Sequence, residues 1–147
     1  MDYYIPPTIL EQQRVLIETF KAFEGHDDMA LDYIMEMGST LPSMPVALRT
    51  DDHLLPGCLA KVWVAHRHYQ ERTFFQGDSN AMITKGVLAL LFYVFSGQED
   101  QDIVDADFSF IEQIGLTRLL GAQRRSGLGR MLAYIRQAAS YSSSEKK

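Results

Sequence analysis

Cys58 is the one cysteine in a chain of 147 residues, and its setting marks it as a candidate for chemistry. It follows Leu54-Leu55-Pro56-Gly57 and comes just before a β-branched and aromatic run around Trp63. Proline fixes its own φ and pushes Leu55 toward extended backbone. Gly57 opens angles closed to other residues, so Cys58 is predicted at the tip of a shaped loop. A thiolate that must reach a sulfur on another molecule needs that access. The competing reading is a buried thiol behaving as a small apolar side chain, the commoner fate of a free cysteine. The missing second cysteine also informs the chemistry. A neighbouring thiol would attack a persulfide and close a disulfide, whereas a lone cysteine holds its extra sulfur until an external acceptor arrives. A dithiol oxidoreductase would want C-x-x-C, which is absent.

Other reactive side chains are weaker candidates. His53, behind Asp51 and Asp52, would suit acyl transfer as a base for Cys58. No oxyanion motif or third member accompanies it, and Asp-Asp-His is common turn chemistry. Asp51, His53 and Cys58 make a weaker case still as a metal site, since zinc wants three or four well-placed ligands, and no metal site is predicted. His66 and His68 share one face by the two-residue period, which a half-exposed strand explains. Arg118, Arg124, Arg125, Arg130 and Arg136 form a basic stretch with no acidic residue between them. A solvated helix face is the simplest account, followed by a patch steering an acidic protein partner. A formal net charge of −5 and the lack of a motif argue against nucleic acid.

The elements that must position these groups follow from periodicity. Pro6, Pro7 and Thr8 read as a helix entry with Thr8 as cap, and Ile9, Leu16, Phe20 and Phe23 form one apolar stripe. A second helix is predicted from near Asp27, with Ala30, Leu31, Ile34 and Met35 inward and Gly38 as its stop. Ser39 to Pro45 holds two prolines and reads as a connector. Lys61–His68 and Arg72–Gln76 read as a strand pair turning near Tyr69 to Glu71. Gly77-Asp78-Ser79 is predicted to close that strand and cap a largely apolar central helix that ends near Phe95 and Gly97. Short helical pieces are predicted at Gln98–Val104 and Phe108–Ile114. A last helix carries Leu128, Leu132, Ile135 and Ala139 on one face. Helices, a small antiparallel sheet, then more helices spell an α+β fold with helices packed on one sheet face.

The bulk numbers suit one domain over residues 1–147, with 140–147 as a flexible tail. Hydrophobic residues at 46% and charged residues at 22% are ordinary for a globular chain. No signal peptide is read at Met1 to Pro7, and the longest apolar stretch, Ala81–Phe95, is broken by Thr84, Lys85 and Gly86. A single cysteine fits a reducing cytoplasm.

The run R-T-D-D-H-L-L-P-G-C-L-A-K-V-W-V resembles the cysteine-loop signature of SufE-type proteins, the sulfur acceptors of cysteine desulfurases. Q-G-D-S-N-A followed by K-G-V-L-A-L-L-F resembles that family's second hairpin strand and central helix, and R-R-S-G-L near Arg124 resembles its arginine-bearing segment. The three blocks keep order and distance between about Leu41 and Arg136. The resemblance implies the α+β fold shared by SufE and IscU-type scaffolds. It implies that Cys58 accepts sulfur from a pyridoxal-phosphate-dependent, SufS-like desulfurase, stimulating it without being a stand-alone enzyme. The sulfur would then pass toward a SufB-like scaffold of iron–sulfur cluster assembly, with no cofactor in this chain and a monomer or weak homodimer as its state. Arg124 is implied as a thiolate stabiliser, and Gly77, Asp78, Asn80 and Arg125 as partner-binding. Leu54, Leu55 and Trp63 would shelter the sulfur, while Pro56 and Gly57 shape the loop. Departures from the family pattern are Asn80 in place of an acidic residue, Arg125-Ser126 in place of a serine and polar pair, and Ala60-Lys61 after the cysteine. The rival readings are a cysteine-based redox-sensing or adaptor module with an Arg-rich partner surface, and a thiol hydrolase using His53.

Overall fold

Thr8 caps the first helix as its sequence position requires, its hydroxyl accepting the Glu11 N–H at 3.2 Å. The computed structural model describes residues 3–145. Helix α1 covers Ile9–Lys21 and buries Ile9, Leu16 and Phe20, with Phe23 following in the turn beyond it. Helix α2 covers Asp27–Ser39 and buries Ala30 and Ile34, with Leu31 and Met35 half-buried.

Gly38 does not stop α2; it lies inside the helix. A Cβ there would come within 2.8 Å of the Gly86 nitrogen, and one on Gly86 would run into the Ile34 carbonyl. The two glycines are what let α2 and the central helix touch backbone to backbone.

The connector passes through two 3₁₀ turns, Val46–Leu48 and Asp51–His53, and reaches strand β1, Val62–Tyr69. β1 pairs antiparallel with β2, Arg72–Ser79, in a register running from Val62 opposite Ser79 to Tyr69 opposite Arg72. The two residues between them, Gln70 and Glu71, both take positive φ, 50° and 64°, which is the tight hairpin geometry of a type I′ turn.

β2 runs three residues past the expected Gln76. Gly77 and Asp78, turn formers on paper, stand opposite Val64 and Trp63 instead. Gly77 stays in the strand because its bare α-carbon accommodates the Phe92 ring, which a Cβ would meet at 2.9 Å. The expected Gly-Asp-Ser cap is displaced as well: Ala81 holds the cap position of α3, Met82–Phe95, without a side-chain cap bond, although the Ser79 hydroxyl accepts the Ala81 N–H at 3.2 Å.

A third strand, β3 at Gln98–Glu99, pairs with Arg72 and Thr73 where helix was predicted. Gly97, at φ +83°, turns the chain so that its N–H reaches the Thr73 carbonyl at 2.8 Å. Helices α4 (Asp100–Val104) and α5 (Phe110–Gln113) follow. Then comes an unexpected α6 at Leu116–Leu120, which starts after left-handed Gly115. Helix α7 covers Ala122–Glu145, and residues 146 and 147 of the predicted tail lie outside the described residues.

The buried stripe of α7 is Leu128, Met131, Ile135, Ala138 and Ala139, with Leu132 only half-buried. The sheet, in order β1-β2-β3, packs one face against α3 and α7. α3 supplies the centre of the core from Val87 to Phe95, interrupted only by half-buried Tyr93. The result is the expected α+β class.

Candidate functional site

The cysteine loop is moored at both ends. On its leading side Leu54 bridges Trp63, and the Leu55 N–H donates to the Val62 carbonyl at 2.8 Å. On its trailing side the Lys61 N–H donates to Asn80 Oδ1 at 3.1 Å, while the Lys61 carbonyl accepts from the Ser79 hydroxyl at 2.7 Å and the Asn80 N–H at 3.3 Å. Between these moorings Pro56 and Gly57 are exposed, and Gly57 takes the left-handed φ of +84° that its sequence position anticipates.

Cys58 follows, half-buried, with its thiol directed at the Gly127 carbonyl oxygen 4.0 Å away. A Cβ at Gly127 would stand in ordinary contact with it, 3.5 Å from Sγ. Beside the sulfur is a void of about 20 Å³. Thr84 and Val87 of α3, Leu120 of α6, and Arg124, Leu128 and Met131 of α7 wall it. A space of that size holds about one water-sized atom. Leu59, next in the chain, is 70% exposed. Burial pushes the Cys58 thiol up from its ordinary range, and the positive charge of Arg130 pulls part of the way back.

Other predicted residues take distinct places. Leu54, Leu55 and Trp63 form the base of the loop, and the walls of the void come from the helices. Arg124 lines the void, and Arg130 brings a positive charge that pulls the Cys58 thiol down. Gly77 and Asp78 are interior: Asp78 is held by Lys85 at 3.3 Å and Arg49 at 3.7 Å. Asn80 and Arg125 are exposed. His53 bonds Thr50 at 3.2 Å through Nδ1. His66 bonds the Tyr134 hydroxyl of α7 at 2.6 Å and so ties the sheet to that helix, while His68 bonds the Thr73 hydroxyl at 3.2 Å across the β1–β2 pair. Among the described residues no group of three His, Cys, Asp or Glu side chains is placed to hold a metal.

The basic stretch divides by position. Arg118 pairs with Asp27, and Arg136 donates to the Ala106 carbonyl at 2.6 Å and lies over the Phe108 ring. Arg124 and Arg130 attend the cysteine. Sequence reasoning singled out Arg124 and left Arg130 in the general run. Helical spacing carried a usable signal, because Arg124, Gly127, Arg130 and Met131 fall three or four residues apart on one side of α7.

An uncharacterised SufE-like protein of Rhizobium meliloti (strain 1021) is 34% identical over 129 residues, covering 84% of this chain and 91% of that protein. Another from Rhizobium etli is 34% identical over 129 residues, covering 84% of this chain and 86% of its own. The solution structure of a hypothetical protein from Thermus thermophilus superposes with a TM-score of 0.73 over 94% of this chain and 97% of that one, at 16% identity, and so shares the fold. No described helix is long and apolar enough to cross a membrane. The SufE model, described as an Fe-S metabolism associated domain, matches residues 14–139, and with that coverage the chain belongs to the SufE family.

Proposed function

We propose that this protein is a sulfur carrier that takes sulfur on Cys58 from a cysteine desulfurase and passes it toward iron–sulfur cluster assembly. The observation that carries this reading is the single thiol at the tip of a two-ended loop, facing a void with space for about one further atom. The Cys58 thiolate attacks the terminal sulfur of the partner's persulfide. A new S–S bond forms on Cys58, the partner's S–S bond breaks, and the partner cysteine leaves as a thiolate. The proton on the terminal sulfur travels with it, so the exchange is balanced without an oxidant or reductant.

The pyridoxal phosphate belongs to the SufS-like desulfurase, and this chain contributes the nucleophile and the shelter. Removal of the persulfide frees the partner for another turnover, which is how a carrier that is not itself an enzyme stimulates one. Exposed Leu59 and Met82, with exposed Asn80 just before Met82 and exposed Arg125 next to Arg124 of the void wall, supply an apolar and polar rim for the partner to cover. Arg124 at the void wall stabilises the sulfur anion during exchange. A SufB-like scaffold receives the sulfur next, in the cytoplasm, from a monomer or weak homodimer.

Intact-mass measurement after incubation with desulfurase and free cysteine tests the proposal. The protein gains the mass of sulfur, reductant removes it, and Cys58→Ser gains none. An unmodified wild-type protein alongside an active desulfurase defeats the reading, and a thiol that responds to peroxide alone favours a redox sensor.

A further inference from the structure

Gly57 has no side chain, and Arg130 occupies the space where one would stand. A Cβ at Gly57 would lie 2.7 Å from Nε and 3.2 Å from Cζ of the Arg130 guanidinium. The positive φ of Gly57 excludes larger residues independently. Arg130 sits about one helical turn beyond Gly127, whose carbonyl the thiol faces. Helix α7 therefore meets the loop twice, through bare Gly127 under the sulfur and through a planar cation laid on the residue before it. Arg130 is exposed, as is Gly57, so this contact lies at the surface.

The electrostatics around the sulfur are simple. The walls from α3 and α6 are the uncharged Thr84, Val87 and Leu120. Helix α7 brings Arg124 and Arg130, and the charged residue of the loop itself is Lys61.

We propose that Arg130 is a positioning residue for Cys58: its guanidinium clamps the loop to α7 through Gly57 and keeps a positive charge beside the sulfur as the loop opens. Burial opposes ionisation while the thiol is turned inward. That opposition fades as the thiol emerges, whereas the arginine charge, resting on the residue next to Cys58, stays close to the sulfur. The nucleophile is thus generated as it is presented, and it stays protonated when sheltered. The inference builds on the carrier reading, because it names a residue that serves the same thiol. Its test does not depend on a sulfur donor.

The experiment is the rate of Cys58 alkylation by iodoacetamide against pH, on the full chain without desulfurase, for wild type, Arg130→Gln and Arg130→Lys. The exposed site lets all three fold, which a thermal melt checks. The glutamine variant is expected to titrate about half to one pH unit higher, a roughly three- to tenfold loss of thiolate at neutral pH, with an equal or faster rate at the alkaline plateau as the clamp is lost. Lysine restores the midpoint but, lacking the planar fork, keeps the faster plateau. An unchanged midpoint in Arg130→Gln overturns the proposal whatever the plateau does, and so does a lysine variant that titrates with the glutamine one. Either result leaves sulfur loading of the wild type as a separate question, answered by mass.

Discussion

Asn80 and Lys61 hold each other by two hydrogen bonds, Asn80 Oδ1 accepting the Lys61 N–H at 3.1 Å and the Asn80 N–H reaching the Lys61 carbonyl at 3.3 Å. The pair closes the trailing end of the cysteine loop onto the junction between β2 and α3. A carbonyl oxygen suffices for the side-chain part of this task, and the neutral amide of Asn80 supplies it.

That relationship gives the first prediction. Asn80→Ala removes the side-chain acceptor at an exposed site and costs about 0.5–1.5 kcal/mol in urea unfolding. It also loosens the loop, so alkylation of Cys58 accelerates. Asn80→Asp keeps an acceptor oxygen and leaves both properties near wild type. Equal behaviour of the alanine and aspartate variants would show that the backbone bond alone moors the loop.

Gly127 bears on the sulfur differently. A Cβ at this position stands at ordinary contact distance from Sγ, so Gly127→Ala fits and gains about 0.5–1 kcal/mol from the better helix former. The same methyl reduces the space beside the thiol. A persulfide formed on that variant is expected to decay faster in buffer than the wild-type adduct, as read by mass at timed intervals. A stable protein with an equally long-lived adduct would remove Gly127 from the shelter.

Alkaline pH should weaken the fold in stages. The Cys58 thiol is raised in the folded chain by burial, so the unfolded thiol ionises first. Its contribution to stability is full below the ordinary thiol range and is lost as pH rises through the folded value. Tyr33, Tyr93 and Tyr134 are raised too, chiefly by burial, and their losses begin at higher pH. Denaturant midpoints between pH 7 and pH 10, roughly the span from neutral to the tyrosine range, should fall less steeply in Cys58→Ser than in wild type. Parallel slopes in the two proteins would refute the assignment.

The hairpin turn is a place where stability can be added. Gln70 and Glu71 both sit at positive φ, a conformation that Asn-Gly adopts more readily. Replacing the pair by Asn-Gly should stabilise the chain by about 1 kcal/mol and raise Tm by roughly 2–4 °C. A lower Tm would mean that the native side chains contribute contacts worth more than the relief of strain.

These residues also show what the sequence could and could not disclose. The Thr8 cap, the stripe from Ile9 to Phe20 and the apolar run of α3 are local signals, legible because capping and periodicity act within a few residues. The Pro-Gly-Cys loop was legible for the same reason. Strand β3 was not, since two residues carry no period and Gln98–Glu99 becomes a strand only through its partners Arg72 and Thr73. Gly38 looks like a helix stop until Gly86, far along the chain, is brought against it. Arg130 is one of several arginines in its region, and only the fold shows which of them rests on Gly57. In each case the missing information was a long-range contact.

The double mooring of the cysteine loop also limits how far the sulfur can travel. Only residues 56–60 lie between the fixed points at Leu55 and Lys61, a span of at most about 20 Å when straightened. A short strap pinned at both feet lifts its crown by no more than about half its length, roughly 10 Å. Delivery across a larger gap is beyond its reach, so a donor or acceptor must bring its own reactive atom to this surface.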